Sequence, residues 1–354
     1  MRKVLYLCFF FILTLGFTQD KKTFKIRTVA FYNVENLFDT INDTLIFDNE
    51  RTPEGGYKWS KERYGTKIGH ISKVLSEIGV EKVSTSPDII GLCEVENKTV
   101  IQDLIAHKYL MDKDYGIIHF DSPDERGIDV ALLYKKEAFL PTSFRSHRLL
   151  LFDTEGYRDY SRDQLVVGGL LDGEQFYFMV NHWPSRSGGE ARSRPYRIKA
   201  AQLNKKIIDS VRYLDPNAKI ISMGDFNDDP IDESFKKVLK TTGKRSTVDS
   251  TRLFNPMEKK FKKGSGTLAY RDKWNLFDQF FFTPNLLHKA KSKYVFWKAG
   301  IYNPEYLKTQ TGKYKGYPFR TYVGTSYQGG YADHFPIYLY LIKKASPSPS
   351  KGGD

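Results

Sequence analysis

Short apolar runs alternate with polar, Gly- or Pro-bearing stretches along the chain, and two longer segments carry apolar residues at helical spacing. The runs at 24–32, 88–92, 129–134, 164–170, 175–180 and 219–223 are of strand length and rich in β-branched and aromatic residues. At 61–78, Ile68, Ile71, Val74, Leu75 and Ile78 fall on one helical face, and 197–213 repeats the pattern. Strands therefore dominate the framework, with helices covering sheet faces. The stretches 39–59, 241–265 and 300–317 are polar and weakly periodic, as expected of long surface loops that shape a substrate groove.

No internal linker and no repeat of solenoid length breaks the pattern, so one domain is expected over 24–344, followed by a Ser/Pro/Gly-rich disordered tail at 345–354. At the other end, Arg2 and Lys3 precede an apolar run from Val4 to Phe17 and then Thr18 and Gln19. That is signal-peptide grammar over residues 1–19, and the run is shorter than the ~20 apolar residues a membrane span needs. The expected product is secreted or periplasmic, with no stable membrane insertion after leader cleavage. Cys8 leaves with the leader, so Cys93 is the one remaining thiol and no intrachain disulfide forms. Stability must then come from a large core.

A hydrophobic share of 40% with 15% aromatics excludes a mainly disordered chain. The formal net charge of +13, two charges of which lie in the leader, suits a polyanionic partner such as a nucleic acid substrate. On charge alone a merely soluble basic protein fits equally well, and nothing in the sequence points to a protein partner.

The chemistry sits where polar residues end apolar runs. Hydrolysis of a phosphodiester needs a hard cation, an activated water and donors aimed at developing charge; oxygen and amide ligands suit Mg²⁺ or Mn²⁺. Asn33 ends the opening strand as a polar ligand or phosphate donor, although a plain turn residue fits there too. Glu94, delivered by Gly91-Leu92-Cys93, is the leading metal-ligand candidate. Arg126 precedes Asp129 at the start of another apolar run. Asn181 and His182 end a strand beside a basic, Gly-rich loop containing Arg186, which suits phosphate recognition, as would a solvated loop. Gly224-Asp225-Phe226-Asn227 puts Asp225 and Asn227 on one side of an extended backbone, where they can orient and deprotonate a water. Finally, Asp333-His334 opens the last strand, and Asp278 is the carboxylate available to fix the His334 tautomer.

Taken in chain order, Gly91 to Asn97, Asn181 to Trp183, Gly224 to Asn227 and Ala332 to Pro336 resemble the endonuclease/exonuclease/phosphatase (DNase I-like) superfamily, and among its branches the secreted bacterial nucleases. Cys93 stands where a glutamine usually precedes the glutamate, which removes no charged group. The resemblance implies a four-layer α/β/β/α sandwich of two mainly antiparallel sheets with a Mg²⁺-dependent site at one edge. It further implies Glu94, Asn33 and Asp333 on the metal side, Asp225 and Asn227 on the water, and His182 and His334 flanking the scissile phosphate. Asp278 would orient His334 and Asp129 would orient His182. Asn33, Arg126, Asn181 and Arg186 are the candidate substrate-binding residues. The implied activity is nucleic acid hydrolysis, with a phospholipid or phosphometabolite esterase and a silent polyanion-binding module as alternatives. A silent module would be expected to lack one of Glu94, Asp225, Asn227, Asp333 and His334, and all five are present.

Overall fold

In the computed structural model, which describes residues 24–288 and 293–345, the first strand β1 (Phe24–Leu37) turns Val29 and Phe31 to one side and Ala30 and Tyr32 to the other, all four fully buried. The leader and all but the first residue of the tail lie outside the described residues. A strand apolar on both faces has to lie between two packing layers. Val29 and Phe31 belong to the core between two sheets, shared with Phe178, Val180, Ile221 and Met223. Ala30 and Tyr32 belong to a second core, shared with Ile71, Leu75 and Leu104 on helices.

Ten further strands complete the two sheets: β2 (Ile89–Val95), β3 (Tyr115–His119), β4 (Asp129–Lys135), β5 (Phe139–His147), β6 (Gln164–Leu171), β7 (Glu174–His182), β8 (Ile220–Asp225), β9 (Asp278–Phe282), β10 (Val295–Ile301) and β11 (Ile337–Lys344). One sheet runs β10-β11-β1-β2-β4-β3 and the other β9-β8-β7-β6-β5. Only β1/β2 and β7/β8 pair in parallel; every other neighbouring pair is antiparallel. Helices α1 (Lys61–Glu77) and α2 (Lys98–Ala106) cover the first sheet, and α3 (Glu190–Leu214) covers the second through Ala200, Ala201, Ile207 and Ile208. This is the expected α/β/β/α sandwich.

Local chemistry sets the helix ends. The Ser60 and Asn97 side chains accept the N–H groups of Arg63 and Val100, capping α1 and α2. The third helix begins at Glu190, seven residues ahead of the periodic segment, because the upstream turn is held by charge: Arg194 pairs with Glu190 and buried Arg197 reaches Asp228. Periodicity of apolar residues cannot register such a turn.

Strand direction gathers the polar motifs. Because β2 runs parallel to β1 and β8 parallel to β7, the ends carrying Asn33, Glu94, His182 and Asp225 point the same way. The antiparallel strands β4, β9 and β11 begin where those end, which puts Asp129, Asp278 and the Asp333-His334 pair on the same edge.

Candidate active site

Register fixes the inner part of the site. Asp225 lies opposite His182 on one side and Asp278 on the other, and Asn33 lies opposite Cys93, the residue before Glu94. Glu94 is then aimed by a bulge: pairing with β4 skips from Cys93 to Val95, leaving Glu94 as the extra residue at φ 62. A left-handed glutamate is costly for an L-residue, and such strain gathers where function over-determines the backbone. The Asn36 N–H holds its Oε2 at 2.9 Å. Asn227, at φ 50, gives its own N–H to Asp225 Oδ1 at 3.0 Å and its side-chain amide to the Trp183 carbonyl at 3.0 Å.

The groups converge on Asp225 Oδ2. Asn33 Nδ2 donates to it at 3.1 Å and to Glu94 Oε1 at 3.2 Å. His182 Nε2 stands 3.7 Å from both of those oxygens, and His334 Nε2 stands 3.8 Å from Asp225 Oδ2. Asp278 grips His334 Nδ1 at 2.6 Å, fixing the ring so that Nε2 faces the centre. Asp333 Oδ1 lies 4.0 Å from the same Nε2, while Arg320 holds its Oδ2 at 2.6 Å.

Burial and neighbours then separate the charge states. Burial, with Asp278 and Glu94 close by, pushes the Asp225 carboxyl up to about 7, although His334 and the Asn227 N–H oppose this. Burial also disfavours a charged His334, but the carboxylates of Asp278 and Asp225 more than reverse it and hold the ring well above the ordinary imidazole value. His182 is pushed the other way, first by burial and then by Arg162 and Arg126. The two imidazoles that flank one carboxylate are therefore pushed in opposite directions, His334 toward the protonated ring and His182 toward the neutral one.

No Lys or Arg of the described residues comes within ion-pair distance of Glu94 or Asp225. A set of hard carboxylate oxygens short of cationic side chains fits a divalent ion of the Mg²⁺ type. A family profile described as the endonuclease/exonuclease/phosphatase family matches residues 28–343. The chain belongs to this family. Endonuclease/exonuclease/phosphatase proteins are phosphoric ester hydrolases and are generally metal-dependent. Among solved structures, a family protein from Bacteroides thetaiotaomicron superposes with a TM-score of 0.53 at 16% identity over 91% of this chain and 96% of its own. The mannosyl-6-phosphatase of the same organism gives 0.52 at 16% identity over 89% and 99%, and the catalytic domain of human Nocturnin with bound sulfate gives 0.51 at 16% over 90% and 97%. At these identities the likeness is one of fold. No curated protein matches the sequence.

Several residues of this endonuclease/exonuclease/phosphatase protein stand elsewhere than expected. Asn33 presents its amide nitrogen to the carboxylates while its Oδ1 accepts the Glu35 N–H at 3.0 Å, so in this structure it bridges Glu94 and Asp225 as a donor. Asp129 does not touch His182. Its carboxylate binds His119 Nε2 at 3.1 Å and the N–H and hydroxyl of Ser122 at 2.8 and 2.5 Å. Asp121 joins that pair with ligand atoms within 4.8 Å, but the bonds to Ser122 and His119 already occupy Asp129. Asn181 is fully buried and bound to Ser222, Met223, Trp183 and Asn204, so it braces the strand end without reaching a substrate. Arg186 is spent on the Asn227 carbonyl and on Asp232 at 2.7 Å, and stacks over Phe277. Arg126 stays at the rim, its side chain 50% exposed beside Asp124.

Sequence reasoning also missed part of the assembly. Buried Glu35 takes the Thr321 N–H at 2.6 Å and lies 3.6 Å from Arg320 and 3.9 Å from Lys67. Lys67, lowered to about 8 by burial, bonds Thr321 and the Tyr331 carbonyl, so a helix residue ties down the loop that delivers Asp333 and His334. Arg162 bridges Asp124 and the Trp183 carbonyl next to His182.

Proposed function

We propose that the protein is an exported, Mg²⁺- or Mn²⁺-dependent phosphodiesterase that hydrolyses nucleic acid. The observation that carries the reading is Asp225 Oδ2 standing between two imidazoles, 3.7 Å from His182 Nε2 and 3.8 Å from His334 Nε2, the second ring fixed by Asp278 at 2.6 Å. Asp225, pushed up to about 7, takes a proton from the attacking water while the Asn227 N–H keeps its other oxygen fixed. As the water oxygen bonds to phosphorus and the ester P–O bond breaks, His334 offers its Nε2–H to the phosphoryl or leaving oxygen, with its charge sustained by Asp278. Asn33 keeps Glu94 and Asp225 apart yet oriented by donating to both. Glu94, and Asp333 through the Oδ1 that Arg320 leaves clear, are the residues that would hold the divalent cation, which when bound would supply Lewis-acid neutralisation of the phosphate.

The choice of a polymer follows from clefts on both flanks. Beyond His182 and Trp183 one is lined by Arg126, Arg162, Arg192 and Tyr160 together with Asp124, Glu125, Asp153 and Asp159, and beyond Asp333 another is lined by Arg320, Arg271 and Tyr314. A chain could continue on either side of a scissile phosphate held between them.

The test is a single assay of purified protein, with Mg²⁺ and with chelator, against plasmid DNA, RNA, sphingomyelin, mannose 6-phosphate and a chromogenic phosphodiester. Metal-dependent cleavage of plasmid or RNA is expected. Turnover confined to sphingomyelin or the monoester would overturn the nucleic acid reading. Export predicts a mature protein lacking residues 1–19, read by N-terminal sequencing of the periplasmic and culture fractions.

A further inference from the structure

The geometry points to a nucleoside subsite in the cleft of about 350 Å³ bounded by Tyr270, Arg271, Lys313, Tyr314, Tyr317 and Arg320. It rests on the phosphodiesterase reading and specifies what lies next to the phosphate. The cleft adjoins the catalytic group directly: Arg320, part of its wall, holds Asp333, whose other oxygen is 4.0 Å from His334 Nε2. An occupant of the cleft therefore lies one side chain, Arg320, away from Asp333.

Its chemistry selects a flat, anionic occupant. Tyr270 and Tyr314 are 62% and 41% exposed, and Arg271 and Lys313 stand over them at 5.2 and 5.7 Å from the ring centres. Tyr314 and Tyr317 lie 5.7 Å apart, and Tyr317 is pinned by donating to Asp272 Oδ1 at 2.6 Å while accepting the Asp272 N–H at 2.7 Å. That bond commits the one carboxylate in the lining, and Arg320 is taken up by Asp333 at 2.6 Å and Glu35 at 3.6 Å, so among the described residues the positive charge left over there belongs to Arg271 and Lys313. Arg271 and Asp272 sit at φ 48 and 60 in a two-residue turn between paired residues Tyr270 and Lys273, which fixes the wall. Rings and cations together recognise a nucleobase with its phosphate: stacking supplies affinity and the cations meet the backbone. A bare sugar phosphate would leave the tyrosine faces uncovered and find few acceptors for its hydroxyls.

The experiment is isothermal titration of the full protein with adenosine monophosphate and with ribose 5-phosphate, neither of which contains a phosphodiester. The nucleotide is expected to bind about ten-fold more tightly; Tyr314→Ala should erase most of that ratio while leaving ribose 5-phosphate unchanged, and Arg271→Ala should weaken both ligands together. Both side chains lie at the rim, and a thermal melt verifies folding. Equal binding of the two ligands by the unaltered protein, a ratio that survives Tyr314→Ala, or affinities that survive Arg271→Ala, overturns the subsite. The two readings fail separately. Cleavage of plasmid without base discrimination removes only the subsite, whereas base discrimination without any diester hydrolysis removes only the activity.

Discussion

Both ends of the sandwich are lined with charge, and they use it differently. At the end opposite the site, the buried carboxylate of Asp88 and the half-buried ones of Asp172 and Glu174 each have a cation. Asp88 takes Arg27 at 2.7 Å and the Thr28 N–H at 2.8 Å; Asp172 takes Arg27, Lys25 and the Tyr294 hydroxyl; Glu174 takes Lys219. At the site end, Asp225 and Glu94 face each other across an amide with only imidazoles near. Closed networks hold the layers together, whereas an open one keeps field strength for a ligand, and that asymmetry is a physical mark of function.

The largest expected effect tests the open end. Asp225→Asn should lower kcat by about three orders of magnitude through loss of the proton acceptor, while the urea midpoint stays level or rises because a carboxylate buried near Asp278 and Glu94 is gone. A large fall in stability with kcat retained would erase the contrast between the ends. At the closed end the reverse is expected. Arg27→Met strands buried Asp88 and takes one of two cations from Asp172, costing about 3 kcal/mol in urea unfolding, and leaves kcat within about two-fold, since Arg27 lies six residues up the strand from Asn33, ~20 Å at 3.3 Å per residue.

A finer distinction is the acid limb of stability. Although burial opposes it, hydrogen bonds from Arg27, Lys25 and Tyr294 hold the Asp172 carboxyl below the usual range. Its folded value is thus lower than the ~3.9 of an unfolded aspartate, so its contribution is present above that pH and lost as pH falls from there through the folded value. The unfolding midpoint of the unaltered protein should drop more steeply between about pH 4 and pH 2 than that of Asp172→Asn. Parallel curves would show that the closed end carries no such linkage.

How far the sequence reveals each region follows from what positions it. Asp225, His182 and Asp278 are neighbours by strand register, and register follows from apolar patterning, so their meeting was legible. The bulge that turns Glu94 was not, because a left-handed glutamate leaves no compositional trace. The Glu35, Lys67 and Arg320 network joins a strand end, a helix face and a loop more than 250 residues apart in the case of Lys67 and Thr321. Periodicity assigns Lys67 to a helix without saying that its head is buried. Of the three long loops, 300–317 lines the cleft beside the catalytic groups, as do residues just beyond it.

Asp129 marks the limit of edge-level reasoning, and its substitution carries the smallest expected effect. A strand-start position says that the carboxylate reaches the rim but not which imidazole it meets. His119 lies on the neighbouring strand of the same sheet, opposite Ala131, whereas His182 belongs to the other sheet. Asp129→Asn retains an oxygen for Ser122 and should lower kcat less than about ten-fold, while Asp278→Asn, which weakens the 2.6 Å hold on His334, should cost about 100-fold or more and move the pH profile of kcat. Equal losses in the two variants, with equal displacement of that profile, would restore Asp129 to the catalytic imidazoles and make the site end a doubly braced one.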